Sequence, residues 1–252
     1  MKRQLLWLGL ILLAVSIGRL AFADRMVLWT IAHDRCVASV KASGSTKPCE
    51  VVEIAGANDR GFIILKDLRG DTQYLIIPTE RITGIEDPAV LAPDAVNYFA
   101  EGWHHMPFVS KAAHRHLPDD SLSLAINAPT GRTQDQLHIH LDCIRRDVKA
   151  TLSRLAPGIG VSWAPLAEDI DGHHYRAMRI AAADLDYVNP FHLLADAGAA
   201  GEMGTHTLVL TGAVFEGGKP GFILLDGHAD LASGDRGSGE DLQDHDCAVK
   251  AE

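Results

Sequence analysis

Between Thr130 and Cys143 the chain reads TGRTQDQLHIHLDC, and its second half alternates strictly. Leu137, Ile139 and Leu141 are interleaved with Gln136, His138, His140 and Asp142. On a β-strand successive side chains point to opposite faces, so the segment sorts its aliphatic residues from its polar ones across a sheet. The aliphatic set can pack on a core. The polar set then needs water, a metal ion or a substrate.

Neighbouring segments supply the rest of such a sheet. Residues 61–66 (GFIILK) and 73–78 (QYLIIP) flank a turn at Arg69-Gly70-Asp71 and read as a β-hairpin. Residues 121–127 (SLSLAIN) predict a further strand, joined to the histidine strand by the loop 128–135. Residues 26–40 predict a helix. Residues 94–105 carry Val96, Phe99, Ala100 and Trp103 at helical spacing, and Pro107 kinks or restarts that helix. A hairpin, a helix and two more strands predict an α+β fold on an antiparallel sheet.

Beyond Asp147 the pattern weakens. Pro157-Gly158 marks a break, residues 184–198 look helical despite Pro190, and residues 207–215 and 221–226 form a second hairpin. The segment GFILLD at 221–226 echoes GFIILK. Two similar hairpin strands account for the echo more simply than a degenerate second copy of the first unit, which stays open as an alternative. The expected organisation is an N-terminal segment (1–29), a catalytic unit (30–150) and an α+β C-terminal half (151–252) packed on it.

The N-terminus has the three parts of an export signal: Lys2 and Arg3, an apolar run at 5–18, and Ala21-Phe22-Ala23. A run of 14 residues is short for a membrane span. Cleavage and retention as an anchor both leave the remainder exported. Beyond Ala23, 20 basic residues face 33 acidic ones, a net charge of −13 with histidine neutral. That balance excludes nonspecific nucleic-acid binding and a polybasic membrane patch. Cys36, Cys49, Cys143 and Cys247 form an even set in an exported chain, so two disulfides are expected, with three connectivities available. The favoured pairing is Cys36–Cys49, closing a short polar loop, and Cys143–Cys247, tying the chain's end to the histidine strand.

An H-x-H on a strand suits a solvated face, a metal site or a catalytic site. Zinc would need a third ligand, and neither Asp142 nor His105 has a spacing rule to recommend it. Catalysis on a phosphate would need a cradle nearby. The loop after Asn127 offers Gly131 for close backbone approach, Arg132 as cation and Thr133 as hydroxyl donor. Asp142 reads as a solvated group at the strand end.

The segments KDLRG (66–70), YLIIPTER (74–81), SLAIN, TGRTQ, HIH, LDCIRRDV and LQDHDC (242–247) occur in one order from about Cys36 to Cys247. Together they resemble the CDP-diacylglycerol pyrophosphatase family, within the histidine-triad (HIT-like) superfamily of nucleotide hydrolases and transferases. The resemblance implies a HIT-like antiparallel sheet with helices and hydrolysis of CDP-diacylglycerol to CMP and phosphatidate. It implies His138 as the nucleophile that becomes nucleotidylated, and His140 as the residue that binds phosphate oxygens and helps protonate the leaving group. It carries phosphate binding onto Asn127, Gly131, Arg132 and Thr133, and implies no metal or other cofactor. The first triad position is Gln136, where the superfamily has histidine; its backbone carbonyl can orient His138, and its amide can reach phosphate.

The expected protein is therefore a hydrolase tethered to the bacterial inner membrane by one N-terminal span, with a periplasmic catalytic domain. A soluble periplasmic form after cleavage is the alternative. Its partners are the lipid-linked nucleotide and water. Rival readings are a HIT-type enzyme acting on soluble nucleoside diphosphate derivatives and an exported histidine-rich metal-binding protein.

Overall fold

The computed structural model describes residues 25–56 and 58–248; the apolar run at 5–18 lies outside them. The alternation at 137–143 is realised as expected. Leu137, Ile139, Leu141 and Cys143 enter the largest apolar cluster, while His138 and His140 turn to the opposite face of the sheet. The regular strand starts later than the alternation suggests, at Ile139, because the Leu137 N–H donates to Ile82 O from outside the ladder.

The strands are β1 (Val51–Ala55), β2 (Arg60–Lys66), β3 (Tyr74–Pro78), β4 (Leu122–Ile126) and β5 (Ile139–Ile144). They continue with β6 (Ala164–Pro165), β7 (Tyr175–Ala181), β8 (His206–Phe215), β9 (Lys219–His228) and β10 (Gln243–Asp244). All belong to one antiparallel sheet in the order β1-β2-β3-β5-β4-β8-β9-β7-β6, and β10 pairs with the end of β5. The fold is thus α+β with a large antiparallel sheet. The β4–β8 ladder carries the sheet without a break across residue 150.

Counted outward from that ladder, the order is β4-β5-β3-β2-β1 on one side and β8-β9-β7-β6 on the other. GFIILK lies on β2 and GFILLD on β9, which are not matching places in this arrangement. Their likeness is that of two buried strands.

One face is covered by α3 (Tyr98–His104), α4 (Pro107–Ala112) and α6 (Pro190–Asp196), which bring Tyr98, Phe99, Val109, Phe191 and Leu194 into the main cluster. Helix α6 is shorter than the expected 184–198. Pro190 lacks an N–H and sits where none is needed, and the Asn189 side chain accepts from Phe191 N to open the helix. The other face has two smaller clusters. Over β2 and β3 lies a helical segment made of α1 (Val27–Trp29), a π-helical stretch (Thr30–Val37) and α2 (Ala38–Ser43). Its residues Leu28, Ala32 and Cys36 repeat every fourth position and pack on Ile63, Leu75 and Ile77. Over β4, β8 and β9 lies α5 (Arg146–Leu155), whose Val148 and Leu152 meet Ala125, Val209 and Leu225. Helix α5 and strand β7 were not anticipated from sequence. Among the described residues no helix is long and apolar enough to cross a membrane.

Cys36 pairs with Cys49 and Cys143 with Cys247, as favoured. The second bridge closes a separation of 104 residues and holds the terminal segment against β5. Replacing Cys143 and Cys247 by serine should lower stability by roughly 2–5 kcal/mol. It should also lower activity, since residues 240–245 are positioned through that bridge. Denaturant unfolding and turnover measured on the same preparation check this, and full activity in the double variant would show the bridge to be dispensable to the site.

Candidate active site

His140 lies in the ladder between Leu75 on β3 and Ala125 on β4. Leu75 belongs to the cluster under the N-terminal helical segment, and Ala125 to the cluster under α5. The histidines therefore emerge where neither cover reaches. The gap is walled by the loop 67–70, the loop 127–135 and Glu240, which line a cavity of about 230 Å³ with His138 and His140. A larger, mostly apolar cavity of about 770 Å³ lies by the β8–β9 turn, among Met178, Ile180, Phe215 and Pro220. It lacks the histidine pair and the loops that accompany it, so the smaller one is the candidate site.

Both histidines are buried, 8% and 5% exposed, which removes the solvated-face reading. His138 Nδ1 is 2.7 Å from Gln136 O. A carbonyl only accepts, so Nδ1 carries the proton and Nε2 keeps a lone pair. Burial lowers the His138 pKa, against the Gln136 carbonyl, which raises it. The result is a neutral, oriented imidazole.

Gln136 is where the sequence expectation divides. Its carbonyl does orient His138. Its side chain does not reach the cavity: Nε2 donates to Pro78 O at 3.1 Å and Glu80 O at 2.8 Å. The amide is fully buried and locks the strand's entry to the end of β3, so its expected phosphate contact is corrected to a structural one.

His140 has the opposite tautomer. Gln73 Nε2 lies 3.0 Å from His140 Nδ1 and also approaches Glu240 Oε1 at 3.3 Å. The carboxylate fixes that amide nitrogen as donor, so His140 Nδ1 accepts and Nε2 bears the hydrogen. That N–H has no hydrogen-bond partner and sits 3.5 Å from Glu240 Oε2. Burial, over the opposing pull of Glu240, lowers the His140 pKa to about 3.

Behind the pair lies a charged network that sequence reasoning missed. His245 Nδ1 is 2.8 Å from Asp142 Oδ2, and its Nε2 is 3.3 Å from Glu240 Oε1. These two carboxylates, Asp142 foremost, raise His245 to about 10, so it is an imidazolium at neutral pH. Burial pushes Glu240 up, but His245, His140, Gln73 and Asn127 together hold it well below the usual carboxylate range. Asp142 is fully buried, not a solvated strand end. Burial raises its pKa, while hydrogen bonds from His245, Thr72 and the Cys143 N–H favour its anion. Three donors converging on one carboxylate argue for the ion pair. The motif LQDHDC contained the signal for His245; no spacing rule pointed to Glu240.

The loop residues are gathered at the cavity with altered tasks. Asn127 and Glu240 bond reciprocally at 3.1 Å. The Gly131 N–H donates to Ala128 O, and a Cβ at this position would lie 2.9 Å from Gly237 O; the glycine permits close packing of two loops. Arg132 is buried and pairs with both Glu86 oxygens, at 2.7 and 2.5 Å. Its guanidinium braces the loop instead of standing free for phosphate. Thr133 is exposed at the rim. Arg69 also lines the cavity, close enough to contribute to lowering His140. Among the described residues no group of three or more histidine, cysteine and acidic side chains has the arrangement of a metal site.

The sequence profile of the family described as CDP-diacylglycerol pyrophosphatase matches residues 23–251. A curated protein of Yersinia pestis named CDP-diacylglycerol pyrophosphatase is 40% identical over 253 residues, covering 98% of this chain and 95% of that protein.

The shifted histidines set a pH profile. Free imidazole titrates near pH ~6.5. With both site histidines lowered, kcat/KM should stay level as pH falls through that region and decline only below it; an inflection at about 6.5 would contradict the burial argument. Stability should follow the same groups. Below about 6.5 the unfolded chain binds protons that buried His140 refuses until about 3, so stability falls with acid. The contribution of His245 is complete below about 6.5 and is lost as pH rises through about 10. Denaturation midpoints across this range test both signs.

Proposed function

The chain belongs to the CDP-diacylglycerol pyrophosphatase family, and from that premise we propose that it cleaves the pyrophosphate of CDP-diacylglycerol to CMP and phosphatidate through a covalent nucleotidyl-histidine. The observation that carries the reading is the His138 Nδ1–H bond to Gln136 O, which leaves Nε2 with its lone pair beside the cavity of about 230 Å³.

In this reading His138 Nε2 attacks the cytidylyl phosphorus. A P–N bond forms, the P–O bond to phosphatidate breaks, and phosphatidate leaves with the bond's electron pair. Water then attacks the phosphorus and gives up its protons to solvent, the P–N bond breaks with its electron pair returning to Nε2, and CMP departs while His138 returns to its neutral form. One difficult displacement is divided into two easier ones. His140 supports both steps through its unpartnered Nε2–H, which donates to a phosphate oxygen as negative charge builds on the leaving group. Arg69 supplies the cation that Arg132, paired with Glu86, does not. Glu240 and His245 hold His140 and Gln73 in register.

An H-x-H at the entry of a central strand of an antiparallel sheet also supports the histidine-triad relationship. Two disulfides support an oxidising, extracytoplasmic compartment. The apolar run at 5–18 would tether the domain to the membrane that holds its substrate.

His138→Ala should lose nearly all turnover while EDTA leaves the wild type unaffected, because no neighbouring group replaces the nucleophile. Acid-labile labelling from a cytidine-labelled substrate should appear on the wild type and vanish in His138→Ala; turnover retained in that variant would overturn the histidine mechanism. Thin-layer analysis of the lipid products distinguishes this substrate from soluble nucleoside diphosphates. Arg69→Gln should cost about 10²–10³ in kcat, the scale of one electrostatic donor lost in the transition state. Arg69→Lys should recover part of it. A loss under about tenfold for Arg69→Gln would return the cationic role to the loop after Asn127.

A further inference from the structure

We propose that the loop 67–70 is a rigid lip that seats the mouth of the active site on a lipid surface, with Leu68 inserted among the acyl chains. The proposal rests on the functional reading above and deepens it by specifying how a lipid-anchored substrate is met. Leu68 is fully exposed, at 101% of its reference area, yet it lines the catalytic cavity. With Val27, also exposed, it gives the mouth of the site an apolar rim.

Its exposure is built into the loop. Lys66 Nζ clamps the loop from inside, donating to Asp67 O at 2.9 Å and Gly70 O at 3.1 Å. The Arg69 N–H donates to Asp67 Oδ1 at 3.1 Å. Gly70 has φ 62°, and a Cβ there would stand 2.5 Å from the His245 Cβ. The Asp71 N–H donates to His245 O at 3.0 Å. The loop is therefore fastened at its base to the network behind His140, and Leu68 cannot fold back onto the core without breaking these bonds.

Size and position identify the occupant. A cavity of about 230 Å³ is smaller than the roughly 300–1,000 Å³ that holds a drug-sized ligand. It has room for a pyrophosphate and its immediate attachments, not for two acyl chains as well. The chains must leave through the mouth and remain in the bilayer. On the same rim stand Val27, 42% exposed, and Leu28. Arg25, the first described residue, pairs with Asp135, and its carbonyl accepts from the Asp135 N–H, so it is held beside this same mouth. A chain tethered there would present Leu68, Val27 and the cavity toward the surface that holds the tether, with Arg69 at the depth of the lipid phosphates.

The test places an environment-sensitive nitrobenzoxadiazole label on Leu68→Cys and, as a control, on Tyr187→Cys, in the full chain. Tyr187 is also exposed, at 88%, but lies beside the opposite face of the sheet. All four native cysteines are in disulfides, so the introduced thiol is the one available to label. On vesicles of phosphatidylethanolamine and phosphatidylglycerol, the label at 68 should shift to the blue and brighten, and the label at 187 should not. In parallel, Leu68→Asp should lower the ratio of kcat/KM for vesicle-borne CDP-diacylglycerol to that for a short-chain, water-soluble analogue by about tenfold or more, the scale of withdrawing one leucine from an apolar phase. An unshifted label at 68, equal shifts at both positions, or an unchanged ratio overturns the lip. A full chain that hydrolyses no CDP-diacylglycerol while the label at 68 still shifts would overturn the functional reading and leave the lip standing.

Discussion

Four polar side chains of one strand segment, Gln136, His138, His140 and Asp142, are removed from water near the middle of a ten-stranded sheet. Burying such groups is unfavourable unless each finds a partner. Much of the surrounding architecture supplies those partners. The end of β3 offers two carbonyls to Gln136, whose own carbonyl serves His138. Gln73, placed just before β3, serves His140. Thr72 and His245 serve Asp142. The groups left without a partner are then informative, and the Nε2–H of His140 is one of them.

Opposite tautomers on two histidines of one strand follow from this arrangement. A carbonyl beneath His138 places the proton on Nδ1 and leaves an outward lone pair; an amide donor beneath His140 places it on Nε2. One ring presents a lone pair on Nε2 and its neighbour an N–H. Burial keeps both neutral, which prevents two adjacent cations in a confined space. Positive charge is carried instead by His245, held between Asp142 and Glu240, and by Arg69 at the rim.

The terminal segment has an importance that its place in the chain does not suggest. Residues 240–245 contribute Glu240 and His245 to the site, and Gln243 donates from β10 to Ser123 O and His140 O. The Cys143–Cys247 bridge fastens this segment to the histidine strand. Residues from both ends of the chain, Val27 and Glu240 among them, therefore wall a single cavity.

How much of this was legible in the sequence depends on the range of the interactions concerned. Alternation is local, so the faces of the histidine strand, the two main hairpins and the pairing of the cysteines could be read from residue order. So could the kinship of the chain, because its motifs keep their order along it. Strand β7 was missed because Arg176 and Arg179 interrupt its apolar pattern, and α6 was overextended because helical spacing alone does not weigh a proline at its start. The roles within the site were decided by contacts between segments far apart in sequence. Arg132 looked like a free cation until Glu86, 46 residues away, claimed both its Nη nitrogens. Asp142 looked solvated until His245, 103 residues away, covered it. The sequence by itself determined which side chains share a face, since that follows from the two-residue repeat of a strand. Only the tertiary structure decided which of them remain free to meet substrate, because a hydrogen bond from a distant segment leaves no periodic trace in the order of residues.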